Sequence, residues 1–110
     1  MPEVIACDEF RDWYWDLEES DQDAVQRVVD ILEVAGTNLG FPLSSAIEGS
    51  RYALRELRIQ SGGKPLRVFY AFDPARQAVL LIGGDKTGNK RFYDEMIPVA
   101  EAIWESYLGG

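Results

Sequence analysis

Histidine is absent from this sequence, and cysteine occurs once, as Cys7. Without histidine the commonest general base and the commonest metal ligand are both missing, and Ser-His-Asp or Cys-His catalysis is excluded. A single cysteine excludes a disulfide framework and every cysteine-rich zinc site. No apolar run approaches the roughly 20 residues that span a bilayer, so no membrane partner is expected. Basic side chains are also scarce. Eleven Lys and Arg face 19 Asp and Glu, a net charge of -8, which at face value argues against nucleic acid, because affinity for a phosphate backbone comes from Lys and Arg. The first residues carry no basic region and no signal-peptide core, so a cytoplasmic protein is expected. What is present is enough apolar material, 46% hydrophobic and 12% aromatic over 110 residues, to build one folded domain spanning 1–110.

The charge is unevenly distributed. Residues 1–50 hold 12 acidic side chains and two basic ones, Arg11 and Arg27. Residues 51–93 reverse this, with nine basic against three acidic, a net of +6. Residues 94–110 return to four acidic and no basic. The bulk figure therefore averages opposites, and such asymmetry marks a candidate polyanion-facing surface.

Hydrophobic periodicity orders the chain. Glu3–Ala6 reads as a short first strand. Asp8 is placed to cap a helix whose apolar stripe is Phe10, Trp13, Tyr14 and Leu17. Ser20 is placed to cap a second helix, with Val25, Val28, Val29, Leu32 and Ala35 running to a stop at Gly36. The short connection predicts an antiparallel helical hairpin. Residues 37–50, rich in Gly, Ser and Asn with Pro42, read as a loop. Three strands follow as a meander: Tyr52–Ile59, Leu66–Phe72 and Ala78–Ile82. Gly62-Gly63 and Asp73-Pro74-Ala75-Arg76 form the turns. In the first of these strands Leu54 and Leu57 cannot share a face, which calls for a bulge or an edge position. A C-terminal helix carries Met96, Ile97, Ala100, Ile103, Trp104 and Tyr107, and Pro98 within it predicts a kink or restart.

Several small motifs fall short of a functional site. Gly83-x4-Gly88 has the spacing of a phosphate loop, but Asn89-Lys90 stand where Lys-Ser/Thr are required and no parallel sheet accompanies it. Ser44-Ser45 read as loop chemistry, Cys7 as a small buried hydrophobe, and Asp16, Glu18, Glu19 and Asp21 as a solvated acidic face. The constellation left over is basic and aromatic: Arg51, Tyr52, Arg55, Arg58, Arg67, Tyr70, Lys86, Lys90, Arg91 and Tyr93. Such a set suits RNA, with Arg and Lys on phosphates and aromatic rings against unpaired bases. The chemistry available to it is attack of a 2′-OH on the adjacent phosphodiester, aided by cationic groups and by a Tyr or Lys of lowered pKa.

The run Gly49-Ser50-Arg51-Tyr52-Ala53-Leu54-Arg55-Glu56-Leu57-Arg58 resembles the second-strand motif of the RelE/ParE superfamily of bacterial toxins, in its phage Gp49-like/HigB branch. Leu66-Arg67-Val68-Phe69-Tyr70-Ala71-Phe72-Asp73 resembles the next strand, and Gly83-Gly84-Asp85-Lys86-Thr87-Gly88-Asn89 the loop that bears a Lys. Tyr93 and Ile97-Pro98-Val99-Ala100 resemble the tail. The resemblance implies an α+β fold of order β-α-α-β-β-β, with a small antiparallel sheet against a helical hairpin and a C-terminal helix. It further implies the toxin of a type II toxin-antitoxin system. Such a toxin is an endoribonuclease cleaving mRNA on the ribosome without metal or cofactor, and is neutralised by a co-encoded helix-turn-helix antitoxin. The alternative is a non-enzymatic member, either a ParE-like gyrase inhibitor or an inactive antitoxin-binding form. Carried over by position, Arg67, Lys86 and Tyr93 are the catalytic candidates, and Arg51, Arg55, Arg58, Tyr70, Lys90 and Arg91 the RNA-binding ones. Glu56 stands where some relatives place a basic residue, so a lysine base at that position is absent.

Overall fold

The computed structural model describes residues 3–109. Its elements in chain order are β1 (Val4–Ala6), α1 (Asp8–Trp15), α2 (Glu19–Ala35), β2 (Ser44–Ala46), β3 (Arg55–Ser61), β4 (Lys64–Phe72), β5 (Ala78–Asp85) and α3 (Phe92–Gly109). The strands form one sheet in the order β1-β5-β4-β3-β2. The β3-β4-β5 meander is antiparallel as expected, and β2 joins β3 antiparallel. The remaining strand, β1, lies parallel to β5, with Val4 opposite Ala78. The architecture is therefore α+β with a mixed sheet.

Helix boundaries differ from expectation by small amounts with clear causes. Cys7, not Asp8, is the extended residue that precedes α1, and Asp8 and Glu9 occupy the first turn. Helix α2 begins at Glu19, and Ser20 lies inside it. Glu18 takes the capping position and its carbonyl accepts the Asp21 and Gln22 N–H groups. In both cases acidic side chains in the first turn complement the positive end of the helix dipole, so no side-chain cap is needed. Gly36 ends α2 with φ +56° and its N–H bonded to Leu32 O. Helix α3 runs through Pro98 as one element.

Both faces of the sheet are covered. On one, α1 and α2 pack Phe10, Val25 and Leu32 against Leu57, Val68, Tyr70 and Leu80. On the other, α3 packs Phe92, Ala100, Ile103 and Trp104 against Phe69, Ala71, Val79 and Leu81. This double coverage explains the unbroken apolar run of β5. The parity conflict of Leu54 and Leu57 disappears because Leu54 precedes β3 and enters the α3-side core while Leu57 enters the other. The bulge lies elsewhere: Phe69 pairs with Ile82 and Tyr70 with Leu80, leaving Leu81 extra in β5. Gly62 and Gly63, at φ +56° and +80°, form the two-residue turn between β3 and β4, a conformation that glycine adopts without strain.

Beyond the bulge, Gly83 meets α1 so closely that a Cβ there would overlap the Trp13 ring. Gly83→Ala is expected to cost about 1–3 kcal/mol, read as a lower urea midpoint with an unchanged slope. A second anchor ties α2 to the hairpin. Buried Asp21 accepts bonds from Lys64 Nζ and, at 2.6 Å, from Ser61 Oγ. The Lys64 and Ser61 bonds hold the Asp21 carboxyl below its ordinary value of 3.8. The folded chain therefore binds fewer protons than the unfolded one near that pH, so this stabilisation is complete above it and is lost as pH falls through the lower folded-state value. Asp21→Asn is expected to lower stability at neutral pH and to flatten its acid dependence, measured by urea titrations at stepped pH.

Candidate functional site

Strand parity assembles the site. Because Leu57 and Ile59 face the α1/α2 core, Glu56 and Arg58 face the opposite side. Arg67 of β4 lies directly across from Arg58, and Glu56 pairs with Phe69, so Glu56 and Arg67 are diagonal neighbours within side-chain reach. Ser45 of β2 lies opposite Glu56. The first turn of α3 brings in Tyr93, because Phe92 anchors that helix beside Gly84. A Cβ at Gly84 would crowd the Phe92 ring.

Glu56, only 5% exposed, is the hub of these groups. Its Oε1 accepts a 2.7 Å hydrogen bond from Tyr93 Oη and lies 3.6 Å from Arg67 Nε. Its Oε2 accepts Ser45 Oγ at 3.0 Å and Arg58 Nη1 at 3.4 Å. A buried carboxylate is tolerated only with such partners. Arg67 is as buried as Glu56; its Nη1 donates to Leu66 O at 3.0 Å, while Nε makes no hydrogen bond. Nε is therefore held to Glu56 by charge at 3.6 Å and not by a hydrogen bond. Lys86, just beyond β5, places Nζ 5.4 Å from the Tyr93 ring centroid.

The electrostatics of Tyr93 run opposite to expectation. Burial, then the hydrogen bond to Glu56 and its charge, push the phenol above its ordinary value of 10.0, with Arg67 opposing. Tyr93 is thus a phenol that stays protonated, which excludes it as the proton-accepting base.

The other sequence candidates are dispersed. Tyr70 has no exposed surface; its ring belongs to the α1/α2 core, and its hydroxyl meets Ser44 Oγ and Arg55 Nε. A ring so enclosed has no face for a base, which corrects its assignment to RNA binding. Arg55 faces that same side, away from Glu56. Arg51 bridges Glu101 and Glu105 of α3, and Tyr52 Oη donates to Glu105, so this pair is tied to the acidic tail. Lys90 and Arg91 are exposed on the loop leading to Tyr93. Ser45 serves Glu56 as a hydrogen-bond donor, a role beyond loop chemistry. Cys7 is half-buried, and burial with Glu9 and Asp8 raises its thiol pKa, which makes it a poor nucleophile.

Two parts of the site escaped the sequence reading. Glu56 was visible only as a departure, although its i, i+2 relation to Arg58 on a strand puts both on one face. The second is a cleft of about 450 Å³ at the β3 edge, lined by Arg27, Phe41, Pro42, Leu43, Arg58, Gln60 and Arg67 among others. The Arg58 guanidinium lies 5.4 Å from the Phe41 ring centroid. Arg58 therefore belongs to both the Glu56 cluster and the cleft.

The chain is similar to known proteins over most of its length. Residues 12–105 match the family model described as phage derived protein Gp49-like. The chain is 40% identical over 107 residues to the Mycobacterium tuberculosis (strain ATCC 25618 / H37Rv) protein named "Putative toxin HigB3", covering 96% of this chain and 92% of that one. It is also 37% identical over 99 residues to "Putative toxin HigB2" of the same organism, covering 87% of this chain and 49% of the relative. Among the described residues no helix is long and apolar enough to cross a membrane. Fold, motif order and this similarity lead to one conclusion: the chain belongs to the Gp49-like family, in its HigB-like toxin branch.

Proposed function

We propose that this protein is the toxin of a type II toxin-antitoxin pair and that it cleaves mRNA on translating ribosomes in the cytoplasm. The observation that carries the reading is the carboxylate of Glu56, bracketed by Arg58 and Arg67 and hydrogen-bonded to a protonated Tyr93. These are the groups that 2′-OH attack requires. Glu56 accepts the 2′-OH proton as the O2′–P bond forms. Arg58 and Arg67, with Lys86 nearby, stabilise the charge gathering on the phosphate oxygens. Tyr93 gives its proton to the 5′-oxygen as the P–O5′ bond breaks. The 2.7 Å bond between Tyr93 and Glu56 then returns the proton to the phenolate. The products are a 2′,3′-cyclic phosphate and a 5′-hydroxyl, and no metal enters the sequence. Lys90 and Arg91, exposed beside the site, add non-specific attraction for the RNA backbone.

Primer extension on mRNA in a translation extract tests the reading. New 5′ ends that appear on adding the protein, and disappear when its antitoxin is supplied, are the expected result. An intact message together with induction of DNA-damage signalling in cells would overturn it in favour of a gyrase-directed toxin.

A further inference from the structure

We infer that the cleft between Phe41 and Arg67 is a base-binding subsite, in which a nucleotide beside the cleaved bond stacks its base on Phe41. The inference rests on the RNA-cleavage reading and goes beyond it by assigning residues that take no part in the chemistry.

Four observations support it. Phe41 is 77% exposed, among the most exposed large hydrophobic residues described, and its ring lies 5.4 Å from the Arg58 guanidinium. An exposed aromatic ring beside an arginine is what stacking on an unpaired base uses. The cleft volume, about 450 Å³, falls within the range of roughly 300–1,000 Å³ typical of small-ligand pockets. Charge is complementary: Arg27 is one of only two basic residues among the first 50. The other, Arg11, lies beside Asp8 at 3.6 Å, whereas Arg27 lines this cleft. Finally, the cleft is continuous with the reaction site, since Arg58 and Arg67 line it and also flank Glu56. A strand whose phosphate sits on these two arginines has its neighbouring base within reach of Phe41. Gln60, exposed on the cleft wall, offers an amide donor and acceptor to a base edge.

The cleft exists because β2 is short. Its three residues pair only with Arg55, Glu56 and Leu57, so beyond them the β3 edge is flanked by Phe41, Pro42 and Leu43 rather than by a strand.

The test is cleavage of a single-codon mRNA in a translation extract, followed against toxin concentration. Stacking on an aromatic side chain predicts that Phe41→Ala raises the half-saturating concentration roughly 10- to 100-fold. The plateau rate should stay within about threefold, and Phe41→Trp should restore affinity. An abasic nucleotide placed in turn at each codon position should, at one position, bring the wild type to the level of Phe41→Ala. At that position it should leave Phe41→Ala unaffected, because coupled losses do not add. A Phe41→Ala curve that superimposes on the wild type overturns the subsite and leaves the RNA-cleavage reading standing. Losses that add at every position do the same, as does an effect confined to antitoxin affinity. Absence of cleavage by the wild type overturns both.

Discussion

Arg67→Gln is expected to lower the cleavage rate by at least roughly 100-fold, the size of effect seen when one preorganised donor to a developing oxyanion is removed. Arg67 Nε is buried and lies 3.6 Å from Glu56 Oε1 without a hydrogen bond, so engaging a phosphate oxygen requires it to turn from that carboxylate. Arg67→Lys is expected to recover only part of the rate, because an ammonium keeps the charge and loses the planar fork that grips two oxygens. Stability must be measured alongside. The Arg67 and Glu56 side chains are 6% and 7% exposed, and breaking a buried pair by removing one partner costs about 3–5 kcal/mol when nothing else compensates. Here Tyr93, Ser45 and Arg58 still hold Glu56, so the loss should fall below that range. Arg51→Gln is the contrast. Its side chain is 68% exposed and engaged with Glu101 and Glu105, and cleavage should be unchanged. Rates by primer extension and urea midpoints on the same samples separate catalytic from structural loss. An Arg67→Gln protein that cleaves at the wild-type rate would remove Arg67 from the mechanism.

Glu56→Gln is expected to reduce the plateau rate roughly 10²- to 10⁴-fold, the usual contribution of a general base. The amide is nearly isosteric and can still accept from Tyr93, so geometry is largely kept while the proton acceptor is lost. The distinctive readout is Tyr93. Burial, then the bond to Glu56 and its charge, raise its pKa, whereas Arg67 lowers it. With a neutral residue at position 56 the Coulombic contribution vanishes and that of Arg67 remains, so the phenol should ionise at lower pH than in the wild type. Ultraviolet difference titration would show the shift directly, and the alkaline limb of the residual activity should move with it. Linkage has the matching sign. In the wild type the raised pKa means that the folded chain binds more protons than the unfolded one above the ordinary value of 10.0. The Tyr93 contribution to stability is therefore present below that value and is lost as pH rises through the folded-state one. An unmoved Tyr93 titration would contradict the coupling on which the proposed proton relay depends.

The elements that could be read in advance are those dictated by local pattern. Phe10, Trp13 and Tyr14 recur at helical spacing, Gly36 stops α2, and Gly62-Gly63 can hardly be other than a tight turn. The apolar run Ala78–Ile82 likewise required cover on both faces, and α1 and α3 supply it. Strand β2 was missed because Ser44, Ser45 and Ala46 have little intrinsic preference for extended structure; pairing with Arg55, Glu56 and Leu57 makes them a strand. The parallel pairing of β1 with β5 and the bulge at Leu81 are non-local in the same way.

The site divides along the same line. Composition and order within residues 51–93 already concentrated the positive charge and pointed to RNA, and strand alternation put Glu56 and Arg58 on one face. Sequence alone could not say that Arg51 is held by acidic residues of α3, that Tyr70 is enclosed, or that Phe41 and Arg27 face the same cleft as Arg58. Periodicity specifies which face of its own element a side chain occupies. Which groups meet across elements depends on register, on the bulge and on how far α3 and β2 extend over the sheet, and those are properties of the packed chain. The sequence by itself therefore determined the helices, the meander and the sign of the charge offered to a partner. Tertiary packing decided which of those charges surround Glu56 and Tyr93.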